Sequence, residues 1–273
     1  MTQPTLCFIG AGNMASSLIG GLINHQYPPD KIIASDISTD RLELLQQKFN
    51  IQTQPDNNLA ISQADIIILA VKPQILQQVC RALSASTRQP LFISIAAGIR
   101  EIDINRWLGG DKAIVRCMPN TPALVGLGAS ALFANALVTD VQKSQSSDIL
   151  QSTGTTVWVE AESQLDAVTA ISGSGPAYFF LFIEALQKAG LALGLDETTA
   201  NQLANQTALG AATMAINGDV KTLRQQVTSK GGTTEQAIAS FEKLGLIDIV
   251  EQATQAAKQR SVELADELGK DIT

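Results

Sequence analysis

Thr5-Leu6-Cys7-Phe8-Ile9-Gly10-Ala11-Gly12-Asn13-Met14-Ala15 is the stretch on which the fold turns. Thr5 to Ile9 is a short apolar run that predicts a strand, and it stops at Gly10. Asn13 to Asn24 then carries Met14, Leu18, Leu22 and Ile23 at helical spacing. Strand, Gly-x-Gly-x-x-Ala turn and helix, in that order, form the context in which this motif means dinucleotide binding. The reason is steric and electrostatic. Gly10 permits a tight turn, Gly12 lets a pyrophosphate approach the backbone, and Ala15 keeps the helix close to the strand. The pyrophosphate rests on free N–H groups at the helix start, where the dipole favours an anion. Taken alone, the motif also fits a plain glycine turn. Its position at a first strand, inside a sustained alternation, favours the nucleotide.

That alternation runs through the first half of the chain. Lys31 to Ser35 predicts a second strand and Thr39 to Lys48 a helix, with Leu42, Leu45 and Phe49 three or four residues apart. Ile66 to Val71 is six apolar residues in a row, which implies burial on both faces as in a parallel sheet. Leu91 to Ile95 and Ala113 to Cys117 repeat the pattern, with helices expected at Gln74 to Ser84 and Glu101 to Leu108. The fold class is therefore α/β, with an N-terminal doubly wound parallel sheet. Thr155 to Val159 is the final expected strand. Beyond Leu165 the periods are helical and long: Pro176 to Leu193, Thr198 to Ile216, Thr233 to Leu244 and Ile247 to Leu268. Asp196 reads as a helix start, Gly218 and Gly245 as stops. The expected division is 1–163 for the nucleotide-binding domain and 164–273 for an all-α domain.

Composition removes several classes. With 45% hydrophobic and 16% charged residues, the 273-residue chain is globular rather than disordered. Its formal net charge of -7 argues against nucleic acid as a partner. No apolar run approaches the roughly 18 residues of a membrane span, and Met1-Thr2-Gln3-Pro4 lacks the features of a signal peptide. Cys7, Cys80 and Cys117 form no CxxC pair; they are expected as buried small apolar residues, in keeping with a cytoplasmic location. His25, the single histidine, falls in the loop after the first helix and reads as a surface residue. No metal-ligand spacing and no His-based catalytic arrangement is present. A dehydrogenase acting on an alcohol needs a base for the hydroxyl proton, whereas an iminium ion already carries the charge that draws a hydride. The sequence suits the second chemistry.

Several residues are candidates for the site. Asp36 ends the second strand, 24 residues after Gly12, where an acid accepts from ribose hydroxyls and repels a 2′-phosphate. Capping the helix that starts near Thr39 is the equal alternative, and Arg41 stands close enough in sequence to offset the charge. Ala70-Val71-Lys72-Pro73 closes the central strand, with Pro73 suited to a first helical position and Lys72 either at the ligand edge or simply solvated. Ile95-Ala96-Ala97-Gly98 leaves room for a flat ring. Met118-Pro119-Asn120-Thr121-Pro122 follows a strand with an unusual texture. Ser172-Gly173-Ser174-Gly175-Pro176-Ala177-Tyr178 and Ser229-Lys230-Gly231-Gly232-Thr233-Thr234 read as small-residue loops feeding helices, the second with Glu235 in its first turn. Such loops can bind a carboxylate, or act as turns with N-caps.

These segments together resemble the pyrroline-5-carboxylate reductase family, collinearly and over nearly the whole chain. Leu223 to Glu242 is similar to the family's signature segment. The resemblance implies a Rossmann-type domain followed by an all-α dimerisation domain with interleaved helices, assembled as a homodimer or a ring of dimers. It implies reduction of 1-pyrroline-5-carboxylate to L-proline, the last step of proline biosynthesis, with NADPH or NADH. It places Ile9, Gly10, Ala11, Gly12, Asn13, Met14, Asp36, Asn57, Ala70, Val71, Lys72 and Pro73 around the cofactor, and Ala96 and Ala97 near the nicotinamide. Ser174, Lys230, Gly231, Gly232, Thr233 and Thr234 are implied around the substrate, with Thr234 on its nitrogen as the catalytic residue. Family members often have proline where this chain has Lys230, and many have a neutral residue where it has Asp36. A β-hydroxyacid dehydrogenase shares the two-domain plan, but the lysine of its GxGxxxK pattern would fall here on Phe179. A nucleotide-sensing protein without turnover would have no use for the loop Gly231 to Thr234.

Overall fold

Alternation decides which layer each strand residue joins. In β4 (Ile66–Leu69), Ile66 and Ile68 enter one core while Ile67 and Leu69 enter the other. The same split divides Leu6 and Phe8 from Cys7 and Ile9 in β1 (Leu6–Ile9). A strand that is apolar at every position has two apolar faces to cover, and helices cover both. On the first face lie α1 (Asn13–Asn24), through Ala15, Leu18, Ile19 and Leu22, and α2 (Thr39–Phe49), through Leu42 and Leu45. The second face is covered by α3 (Asn57–Ile61), by α4 (Pro73–Leu83) through Leu76, Cys80 and Leu83, and by α5 (Glu101–Trp107).

The computed structural model describes residues 3–84 and 89–271. Met1 and Thr2, part of the N-terminal segment considered above, lie outside the described residues. Among the described residues, eight strands form one sheet in the order β3-β2-β1-β4-β5-β6-β7-β8. The strands not yet placed are β2 (Ile32–Ser35), β3 (Gln52–Thr53), β5 (Leu91–Ser94), β6 (Ile114–Met118), β7 (Gly128–Ala134) and β8 (Gly154–Trp158). Pairing is parallel throughout except between β6 and β7. The first six strands thus follow the Rossmann order, whose crossover reverses between β1 and β4. Helix α6 (Asp140–Gln151) joins β7 to β8 and starts with a reciprocal cap between Thr139 and Gln142.

The structure corrects the expected loop at Ser172 to Tyr178. Helix α7 (Gln164–Val168) continues into a π turn at Thr169–Gly173, where the Ser174 N–H donates to the Thr169 carbonyl at 2.8 Å. Asn120 holds this turn against the sheet: its amide donates to the Ser172 carbonyl at 3.0 Å, and its carbonyl accepts from the Ala129 N–H at 2.9 Å. Small residues at Ser172 and Gly173 accommodate the wider coil.

The chain divides into two compact units, residues 1–174 with 257–273, and residues 175–256. The expected boundary at 163 was drawn where strands give way to helices; the contacts divide the chain at 174, past the π turn. The second unit contains α8 (Gly175–Ala192), α9 (Glu197–Ala215), α10 (Val220–Gln226), α11 (Thr233–Lys243) and the first part of α12 (Leu246–Leu268). Helices α8 and α9 pack closely where Gly190 meets Ala200; a Cβ on Gly190 would stand 3.0 Å from the Ala200 Cβ. Phe182 and Phe241 tilt against each other with ring centroids 6.1 Å apart. Much of the unit's apolar surface remains uncovered within one chain, including Phe179, Phe180, Leu181, Leu193 and Ile216. No helix among the described residues is long and apolar enough to cross a membrane.

Candidate active site

The glycine turn sits at the carboxyl edge of the sheet, where the crossover reverses. The Gly10 N–H donates to the Ser35 carbonyl of β2, and the Ala70 N–H donates to the Ile9 carbonyl of β1. Gly10 has φ +103°, and a Cβ there would lie 2.7 Å from the Ala70 carbonyl oxygen, so both conformation and space demand glycine. Gly12 differs: a Cβ on it would meet nothing within 4 Å. It is the N-cap of α1, makes no side-chain cap bond, and no acidic residue follows in the first turn. An open helix start with no carboxylate of its own suits an external anion. The residues present therefore fit a dinucleotide pyrophosphate.

Asp36 is largely buried and already committed. Its Oδ2 accepts from the Ala11 N–H at 2.7 Å and its Oδ1 from the Ser38 N–H at 2.9 Å. Arg41 approaches to 3.9 Å. Ser38, not Asp36, is the N-cap of α2. Asp36 thus ties the glycine turn to the end of β2. Asn57 begins α3 beside it and accepts from the Ser35 hydroxyl at 2.7 Å. Ala70 and Val71 lead from β4 into α4, which starts at Pro73 with Lys72 as its exposed N-cap. Ala96 is buried beneath the loop after β5, while Ala97 faces solvent. All the residues proposed for the cofactor, from Ile9 to Met14 through Ala97, are gathered in the first unit along one sheet edge.

The candidate substrate residues are distributed differently. Ser174 ends the π turn in the first unit. In the second, Lys230 to Gly232 form the turn before α11 and Thr233 and Thr234 open the helix, with Lys230 exposed and Thr234 half-buried. Within that turn the Gly231 N–H donates to the Glu235 carboxylate at 2.7 Å, and the Gly232 N–H to the Ser229 carbonyl at 3.0 Å. Two backbone donors expected for a ligand are thus used internally. Gly232 is the N-cap, so neither Thr233 nor Thr234 caps α11 with its hydroxyl. Glu235 stands three residues past the cap and reaches back one residue beyond it, to the Gly231 amide, rather than to the cap itself as in a capping box.

Elsewhere the chemistry is quiet. Burial pushes the Cys7, Cys80 and Cys117 thiols up to about 12, which leaves them protonated and unreactive. His25 is exposed, with its Nδ1 2.8 Å from the Gly21 carbonyl at the C-terminal end of α1.

Comparison with known proteins agrees with this geometry. Residues 5–98 match a family model described as NADP oxidoreductase, coenzyme F420-dependent. Residues 162–264 match one described as pyrroline-5-carboxylate reductase dimerisation. A pyrroline-5-carboxylate reductase of Pseudomonas aeruginosa is 49% identical over 99% of this chain and 100% of its own length. The chain belongs to the pyrroline-5-carboxylate reductase family. A solved reductase of this family from Coxiella burnetii superposes with a TM-score of 0.93 at 43% identity, covering 97% of this chain and 99% of that one. The Plasmodium falciparum family member, solved with NADP bound, superposes with a TM-score of 0.82 at 32% identity over 97% of this chain and 99% of its own. The chain carries a dimerisation region and is a homo-oligomer.

Proposed function

We propose that this chain is an NAD(P)H-dependent oxidoreductase that reduces 1-pyrroline-5-carboxylate to L-proline. The observation that carries the reading is the open cradle at Gly12, at the crossover of a sheet whose whole chain matches reductases of this substrate end to end. A reduced nicotinamide, when bound, supplies the hydride that adds to the C=N carbon. The chain's own task is placement. The amides at the start of α1 hold the pyrophosphate, and Asp36 keeps the Ala11 turn in shape while each of its oxygens retains a lone pair for a ribose hydroxyl. Both cofactors are accepted on this reading. Ala96 and Ala97 leave a flat site without competing side-chain chemistry.

Lys230 and the amides of Thr233 and Thr234 hold the substrate carboxylate, since the Gly231 and Gly232 amides are engaged. The Thr234 hydroxyl, which α11 does not use as a cap, accepts from the protonated ring nitrogen. That nitrogen keeps its proton and regains its lone pair as the hydride arrives, so no general base is needed. Ser174 is a further candidate substrate residue on this reading. The nucleotide role falls to residues 1–163 and the substrate and dimerisation roles to 164–273, a division supported by the dimerisation match beginning at 162. Assembly proceeds to a homodimer or a ring of dimers. The location is cytoplasmic, which fits three free, buried thiols.

The test is oxidation of NADPH and of NADH by the purified chain with pyrroline-5-carboxylate, against hydroxyacids and ketoacids as controls. Turnover is expected with the imine alone. Thr234→Ala should lower kcat/KM for the imine about tenfold, the value of one good hydrogen bond. Its Tm should stay at the wild-type value, because no cap is lost. Cofactor left intact with the imine, and consumed with an alcohol–ketone pair, overturns the reading.

A further inference from the structure

We propose that the segment Leu264 to Asp271 braces the loop after β5, and that Asp271 is the positioning residue anchoring it. The inference rests on the reading that this loop, Ile95 to Arg100, carries the nicotinamide at Ala96 and Ala97. Helix α12 lies directly on the loop backbone. Gly98 has φ +68°, and a Cβ on it would stand 3.4 Å from the Leu264 Cβ and 3.9 Å from the Ala265 nitrogen. Leu268 packs against the core cluster that contains Ala96 and Ile99. At the end of the loop, the Arg100 guanidinium meets Asp266 at 2.6 Å.

The chain beyond α12 is fastened to the two helices flanking the loop. Arg106 donates to the Gly269 carbonyl at 2.8 Å. One oxygen of Asp271 then accepts from Gln77 at 3.0 Å, Arg81 at 2.9 Å and the Trp107 indole at 3.1 Å. Gln77 and Arg81 belong to α4 and Trp107 to α5, so a single carboxylate joins both. The Trp107 bond first, then the Arg81 bond and the charges of Arg106 and Arg81, hold the Asp271 carboxyl below the usual carboxylate range. The Arg100–Asp266 pair is half open to water on both sides, and such pairs contribute little alone. Asp271 is as exposed as that pair, at 51%, but it gathers three donors from two helices, so the anchoring falls on Asp271 together with the Leu264 and Leu268 side chains. The far end of the loop is secured separately: the Glu101 N–H donates to Glu162, which also takes Arg116 at 2.7 Å. Within the loop, Ala97 is the exposed residue.

Hydride transfer depends steeply on the placement of two carbons, so a loop that drifts loses rate before it loses affinity. The proposed pyrophosphate site, at the start of α1, and Asp36, after β2, lie on elements that the brace does not touch. The experiment uses the full chain as wild type, Asp271→Ala, Asp271→Glu and Arg81→Met. Three quantities are read: hydrogen exchange of residues 95–100 without cofactor, NADPH Kd by fluorescence, and kcat with the imine. Asp271→Ala should speed exchange in the loop, lower kcat about tenfold and leave Kd in place. Arg81→Met should do the same more weakly, and Asp271→Glu should restore both readouts. Loop exchange in Asp271→Ala and Arg81→Met equal to wild type overturns the brace. Faster exchange with unchanged kcat also overturns it, since the segment would then be merely structural. Should the wild type fail to reduce the imine while Asp271→Ala still frees the loop, the brace stands and the substrate reading falls.

Discussion

Asp36 ties the glycine turn to the end of β2, and on the proposed reading the same carboxylate also serves the cofactor. Its two oxygens hold the Ala11 and Ser38 amides, and on the proposed reading the same charge faces a 2′-phosphate. Asp36→Ser removes a like charge and should raise the ratio of kcat/KM for NADPH over NADH by about tenfold, a typical cost of a misplaced charge. It should also weaken both cofactors, because Ala11 loses its acceptor. The measurement is steady-state kinetics with each cofactor in turn. An unchanged ratio would assign Asp36 to the turn alone. Thr234 is the counterexample at the same scale: its hydroxyl has no cap to make, so its removal should be felt in rate and not in stability.

Elements formed where the sequence spoke in periods. The six apolar residues from Ile66 onward made β4 legible, and the spacing of Leu42 and Leu45 made α2 legible. Strand β7 was missed because Gly128, Ala129, Ser130 and Ala131 are too small to show alternation. Its antiparallel pairing with β6 followed from a connection too short for a crossover helix. Helix α6 escaped because its surface is polar, though Thr139 and Gln142 spell a cap three residues apart. That cap is testable: Thr139→Ala should cost about 1 kcal/mol, a fall in Tm of about 2–4 °C for a unit of this size. Thr139→Ser should recover most of it, and a wild-type Tm for the alanine variant would mean the box contributes nothing. The turn from Gly10 to Gly12 was legible because a glycine pattern is local. Asp271 was not, since its three partners stand 194, 190 and 164 positions away along the chain. Glu235 was visible as an acid, but not as the partner of the Gly231 amide.

At the scale of the molecule, the second unit leaves Phe179, Phe180, Leu181 and Leu193 uncovered within one chain. Exposed apolar surface of that extent marks an interface, and the dimerisation match covers the same helices. Light scattering at micromolar concentration should give at least twice the 28.9 kDa of the single chain. A monomer there would contradict the assignment of this face. Residues 257–273 belong with the first unit although the whole of the second precedes them in the chain. During synthesis, therefore, the sheet emerges from the ribosome early and must wait for its closing helix. The domain begun first is finished last. Its nascent form, with the loop at Gly98 still unsupported, would be the stage most open to chaperones and to misassembly.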